Sequence, residues 1–192
     1  MVSWSSITLG FSLALAGFSL TGCAAKRSLP SYSSVPDFTL TDQTGAAFDS
    51  ASELKGSVWI ADFIYTTCPG PCPRMSSQMH QVQTALSGLS GFHLVSFTVD
   101  PEHDTPPVLE KYSKLFLAQP GTWFFLTGPQ PVLQHLCRDV FLLGDVDGTL
   151  QHSTRFMLVD RSSKVRGFYL TEEPDAISRL ITDAKGLLQE RG

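Results

Sequence analysis

The sequence predicts an α/β domain, a central sheet flanked by helices, and three observations carry that prediction. Residues 57–65 (SVWIADFIY) form a nearly continuous apolar and aromatic run of strand length, the pattern of a strand buried on both faces. Downstream, strand-like and helix-like segments alternate to the end of the chain. Upstream, residues 38–40 and 46–48 flank Asp42-Gln43-Thr44-Gly45, a polar turn with a glycine, which reads as a β-hairpin added in front of the sheet. In order after the central strand come a helix over 73–86, a strand over 92–99, a helix over 107–116 and a short strand over 123–126. A helix over 130–142, strands over 154–160 and 165–170 joined by the turn Arg161-Ser162-Ser163-Lys164, and a last helix over 174–188 complete the series.

The chain has 192 residues, 42% hydrophobic and 17% charged, enough apolar content for one full core and too little charge for a disordered chain. Its net charge of −4 argues against a nucleic-acid partner, because phosphate binding needs a basic surface that displaces counterions. Residues 1–22 contain no Asp, Glu, Lys or Arg, and their apolar stretch from residue 7 to 20 is shorter than the ~20 residues of a membrane-spanning helix. This is a signal-peptide pattern. It ends in Leu20-Thr21-Gly22-Cys23, which resembles the bacterial lipobox and marks Cys23 as the lipid attachment site; an uncleaved anchor and plain secretion are the alternatives. Residues 23–35 are Ser-rich and aperiodic, the composition of a flexible tether, so the folded domain is expected over 36–192. The protein is thus expected outside the cytoplasm, held at a membrane and facing the periplasm or the exterior. Without Cys23 three thiols remain, which excludes a full disulfide framework although the compartment is oxidising.

The chemistry concentrates in Cys68-Pro69-Gly70-Pro71-Cys72-Pro73-Arg74, between the buried strand and the next helix. Pro73 suits a first helical turn, which places both sulfurs near a helix N-terminus, where the macrodipole and the Arg74 cation favour thiolate. Thiolates bind soft metals and attack disulfides. Three intervening residues free the sulfurs to converge on one ion; two sulfurs suit Cu(I), and an added imidazole accommodates Cu(II). No second ligand pair at zinc-site spacing is present. The alternative, a purely structural disulfide, would close so short a loop that it stabilises by only about 2 kcal/mol.

Together with Thr98-Val99-Asp100-Pro101-Glu102-His103-Asp104-Thr105-Pro106 and His152-Ser153-Thr154-Arg155-Phe156, this motif resembles the Sco/SenC family, copper-binding assembly proteins of cytochrome c oxidase. The resemblance runs from about Pro36 to the C-terminus. It implies a thioredoxin-like sheet flanked by helices with an added N-terminal β-hairpin, and one copper per domain held by Cys68, Cys72 and His152. His152 precedes the strand over 154–160, where thioredoxin-like proteins carry a cis-proline facing the active-site loop; a structural or solvated histidine is the alternative.

Several residues have two readings. Asp62 interrupts the apolar strand six residues before Cys68, either as a proton-exchanging group in disulfide chemistry or as a hydrogen-bonded core acid. Asp100 and Asp104 read as capping and loop-ordering residues more than as the rim of the site. Cys137, Met75 and Met79 lie on apolar helical faces and read as core. Asp145-Val146-Asp147-Gly148 reads as a turn. The expected function is a metallochaperone that takes up copper, as Cu(I), Cu(II) or both, from a donor and passes it to the dinuclear copper centre of the oxidase subunit. A thiol–disulfide oxidoreductase that reduces the target's copper-ligand cysteines through Cys68, Cys72 and Asp62, and depends on a thiol reductant, is the alternative enzyme reading. A redox or copper sensor is the third.

Overall fold

The computed structural model describes Met1, residues 28–143 and residues 153–190. Cys23, His152 and the turn at 145–148 lie outside the described residues. In chain order the elements are β1 (Thr39–Asp42), β2 (Ala47–Asp49), α1 (Ser50–Glu53), β3 (Val58–Ile64), α2 (Pro71–Leu86), β4 (Phe92–Thr98) and α3 (Pro106–Leu115). There follow β5 (Trp123–Thr127), α4 (Gln130–Gln134) running into a π-helical turn His135–Val140, β6 (Arg155–Val159), β7 (Val165–Leu170) and α5 (Ala176–Gln189).

The strands form one sheet in the order β2-β1-β5-β4-β3-β6-β7. β3, β4 and β5 run parallel, and β6, β7, β1 and β2 are added antiparallel to their neighbours. Every residue of β3 is buried, as its unbroken apolar run requires of a strand covered on both faces. Because side chains alternate along a strand, β3 divides its residues between two cores. Trp59, Ala61 and Phe63 face a cluster built with Phe38, Phe48, Leu133 and Phe141. Val58, Ile60 and Ile64 face the other, built with Met75, Met79 and Val82 of α2, Leu109 of α3 and Leu180 and Leu187 of α5. Asp62 shares that second parity, which sets a carboxyl under the start of α2.

The hairpin forms as its sequence dictates. The Asp42 side chain accepts hydrogen bonds from the backbone N–H of Thr44 (2.8 Å) and Ala46 (3.0 Å), and Gly45 takes the left-handed conformation, φ +85°, that completes the turn. Two elements differ from the expected pattern. α2 starts at Pro71 rather than near Pro73, because Pro71 itself fits the first helical position, so Cys72 lies inside the first turn. The helix expected over 130–142 is α-helical only to Gln134 and widens into a π turn that carries Cys137, buried in the core as expected.

The folded region also begins earlier than Pro36. Residues 32–35 lie antiparallel along the start of β7: Tyr32 N–H donates to Val165 O (2.9 Å), Val165 N–H to Ser33 O (2.9 Å) and Val35 N–H to Ser163 O (2.7 Å). Arg166 fastens the segment further back, donating to Pro30 O (2.7 Å) and Leu29 O (2.8 Å) while its other arm pairs with Asp160 (2.8 Å). Composition suggested a tether because the strap's bonds are mostly backbone bonds, which side-chain patterning does not advertise. The strap also covers a sheet edge that would otherwise offer unpaired groups to another chain. A chain shortened to begin at Pro36 is expected to lose about 3 kcal/mol in urea denaturation, given ~1 kcal/mol for each of several lost hydrogen bonds, and to self-associate more readily on gel filtration.

Candidate functional site

The site is assembled where β3 ends. Ile64 O still accepts from Val99 N–H (2.8 Å), and the chain then turns back on itself, with Cys68 N–H donating to Tyr65 O at 3.3 Å. Pro69 and Gly70 lead directly into α2, with Pro71 in its first turn. Cys68 stands in the turn, 6% exposed, and Cys72 stands in the helix, fully buried against Met75 and Met79. Cys68, Cys72 and Cys137 are not in disulfides. Met75 and Met79 belong to the core, as their helical spacing predicted.

The turn is pinned by a carboxylate from another loop. Asp104, fully buried, accepts from Thr66 N–H (3.1 Å), Thr66 Oγ1 (2.5 Å) and Thr98 Oγ1 (2.6 Å), so one side chain ties the segment after β4 to the segment that carries Cys68. Its own backbone N–H donates to Asp100 O (2.8 Å). Asp104 is therefore a loop-ordering residue and not a helix cap; Thr105 holds the cap position of α3, without a side-chain bond.

The two thiols differ electrostatically. Burial pushes the Cys68 thiol up, but the backbone N–H of Cys72, the Cys72 thiol, the backbone N–H of Gly70 and the Tyr65 hydroxyl all favour its thiolate and together hold it below the usual range. Burial pushes the Cys72 thiol far up, and the Cys68 and Asp62 charges add to this while the backbone N–H of Tyr65 opposes it. The pair is thus unequal: its surroundings favour the thiolate at Cys68 and the thiol at Cys72. The orphan N–H groups at the start of α2 act as the sequence predicted. Arg74 does not: its guanidinium is taken by Glu172 at 3.3 Å on the half-exposed surface, and the groups that favour the Cys68 thiolate are the amides, the thiol and the phenol just named.

Asp62 is fully buried, and among the described residues neither carboxyl oxygen has a hydrogen-bond partner. Burial pushes it up to about 7, and Ser96, its neighbour across the β3–β4 pair, opposes burial without cancelling it. The Ser96 hydroxyl accepts from Trp123 Nε1 at 3.0 Å, and Asp62 stands as a buried acid beneath the thiols, without a hydrogen bond among the described residues.

Of the expected metal ligands, the structure brings Cys68 and Cys72 together, and His152 lies outside the described residues. Among the described residues no group of three or more His, Cys, Asp and Glu side chains is placed to hold an ion. Two features of the site were not anticipated. Tyr65 lies against the pair, its carbonyl accepting from Cys68 N–H while both thiols push its phenol up, a placement signalled only by its polar tip at the end of an apolar run. Glu172 accepts from Arg74 and from Thr154 Oγ1 (3.3 Å each), which links the segment entering β6 to the first turn of α2; nothing in the sequence marks it.

A family model for SCO1/SenC matches residues 27–189. Among solved structures, a SCO1/SenC family lipoprotein from Bacillus anthracis is 31% identical, with 82% of this chain and 96% of that one aligned at a TM-score of 0.74. BsSco, described as a member of the Sco family of cytochrome c oxidase assembly proteins with a disulfide switch, is 32% identical, with coverage of 83% and 95% and a TM-score of 0.72. ScoI from Bradyrhizobium japonicum with copper bound is 26% identical, with coverage of 79% and 98% and a TM-score of 0.65. The fold is accordingly the thioredoxin-like one of these proteins, with the added hairpin.

Two variants test the geometry. Asp104→Ala removes the acceptor of three donors and is expected to cost about 3 kcal/mol or more in urea denaturation, because buried donors are left unpaired. For Asp62 the folded value near 7 lies above the unfolded 3.8, so between those values the folded state keeps a proton that the unfolded state has lost. Stability therefore falls as pH rises from 4 to 7, by at most about 4 kcal/mol for the ~3-unit difference. Asp62→Asn is expected to match the wild type near pH 4 and to exceed it at pH 8; parallel stability profiles would contradict the burial argument.

Proposed function

The chain belongs to the SCO1/SenC family, and we propose that this protein is a copper metallochaperone, held at a membrane outside the cytoplasm, that passes one copper to the dinuclear copper centre of cytochrome c oxidase. The observation that carries the reading is the pair of unlike buried sulfurs at the start of α2, one already favoured as thiolate. Soft sulfur donors fit Cu(I), and a histidine as third ligand extends the site to Cu(II). We assign that role to His152. In support, Thr154 shares Glu172 with Arg74, two residues beyond Cys72, so the chain next to His152 is held against the helix that bears the cysteines. A copper-bound ScoI and BsSco's place among oxidase assembly proteins support the metal and the target.

Transfer proceeds by ligand exchange, with incoming ligands replacing the sulfurs one at a time. Anchoring through a lipid on Cys23 is supported by the lipobox and by the lipoprotein relative. No helix among the described residues is long and apolar enough to cross a membrane.

Asp62 favours a second reading, because an unsatisfied acid next to a thiol pair is poorly explained by metal binding alone. In that reading the Cys68 thiolate attacks a target disulfide. Cys72, losing its proton to the Asp62 carboxylate, then resolves the mixed disulfide; the target leaves as a dithiol, Cys68 and Cys72 are joined, and an external thiol reductant restores them.

Anaerobic Cu(I) titration of the reduced full chain in detergent, against a chromophoric chelator, tests the first reading. Wild type is expected to bind one equivalent, Cys68→Ser and Cys72→Ser to lose tight binding, and His152→Ala to bind about tenfold or more weakly, a loss of ~1.4 kcal/mol or more. Full affinity in His152→Ala removes it from the ligand set. Negligible copper binding by wild type, together with a disulfide reductase rate that collapses in Asp62→Asn, establishes the second reading instead.

A further inference from the structure

The strap over residues 29–35 decides how far the domain can stand from its lipid. Cys23, the proposed attachment site, lies six residues before Leu29, whose carbonyl Arg166 holds at 2.8 Å. Six residues span at most about 20 Å, whereas a chain free up to Pro36 would span about 45 Å. A domain of this size is about 40 Å across, so the leash is half a diameter and leaves from one edge of the sheet. Counted from the strap, the hairpin strand β2 lies seven strand spacings away, about 34 Å. A domain standing on the hairpin edge would lift the strap beyond the reach of the leash.

The strap edge also has the chemistry of a lipid-facing surface. Between Cys23 and Pro36 the chain carries Lys26 and Arg27 and no acid, although the whole chain has a net charge of −4. Lys164, exposed, lies across from Ser34 of the strap, and Asp160, at the start of the same turn, is taken by Arg166 (2.8 Å). Tyr32 is 53% exposed, and its ring is steadied by Phe168, edge-on at 5.3 Å. A tyrosine packed on one side and exposed on the other suits the headgroup layer, and cations beside it suit phosphate. From this placement we infer that the strap edge, Tyr32 with Lys164, rests on the phospholipid surface of the membrane that holds Cys23. The inference rests on the lipid-anchor reading of Cys23. It lays the strands along the bilayer, with β3 three spacings, about 14 Å, above the strap. The thiols stand at the end of β3, so the site opens sideways, along the membrane, toward a partner embedded in it.

The test uses the unaltered acylated chain in vesicles of phosphatidylethanolamine and phosphatidylglycerol, with a fraction of the phospholipid bearing a photoreactive diazirine in its headgroup. After illumination, peptide mass spectrometry locates the lipid adducts. They are expected on the peptides that carry Tyr32 and Lys164. They are expected to be absent from the hairpin turn at Thr44 and from Leu115 and Leu117, the exposed leucines that end α3 on the helical face over β5. Lys164→Glu, a change at an exposed site, is expected to lower the labelling at Tyr32 severalfold. Labelling of the hairpin or of Leu115 and Leu117 as strong as that of Tyr32, in a chain whose intact mass includes the lipid on Cys23, overturns the inference and leaves the anchor standing. Unchanged labelling in Lys164→Glu overturns the part given to the cation. An intact mass without lipid on Cys23 rejects the anchor reading and this inference with it.

Discussion

Everything in the site descends from the burial of β3 on both faces. A strand with no solvent-facing side has no freedom of register, because a slip of one residue would exchange the contents of two cores. That fixed register determines three things at once: which residue emerges last, where the turn with Cys68 begins, and which core receives Asp62. The turn itself would still be loose without Asp104, whose hydrogen bonds to Thr66 and Thr98 join the exits of β3 and β4 into one rigid rim. Helix α2 then starts from a fixed point, and Cys72 enters the second core on its first turn.

The cysteine motif does more than supply two sulfurs. By ending the turn where a helix begins, it places the amides of Gly70 and Cys72 around Cys68 and buries Cys72 behind it, so that of two chemically identical side chains one is shifted toward thiolate and the other toward thiol. The difference comes from position alone. Asp62 enlarges it from below, since any negative charge there opposes a second thiolate at Cys72.

Much of this was legible in the sequence, and the exceptions have physical causes. β3 and the cysteine turn were readable because long apolar runs, prolines and closely spaced thiols leave strong local signals. Asp62 was conspicuous as an acid in an apolar strand, but only the structure shows that neither of its oxygens has a hydrogen-bond partner among the described residues. Arg74 was assigned to the thiols because it is close in sequence, and its actual partner, Glu172, is 98 residues away, a pairing that no local pattern encodes. The strap at residues 29–35 was invisible for a related reason: it is held by main-chain bonds and by Arg166, so its Ser-rich composition looked like linker. Tyr65 was read as the last residue of a strand, since a phenol's aim depends on the turn that follows it.

The unequal burial of the two sulfurs also gives the site a direction. Solvent reaches Cys68 at 6% and does not reach Cys72 at all. An approaching partner therefore meets one sulfur before the other. In the metallochaperone role proposed above, the inner sulfur would keep its grip until the newcomer is attached to the outer side, and the copper would stay bonded to one protein or the other throughout the exchange.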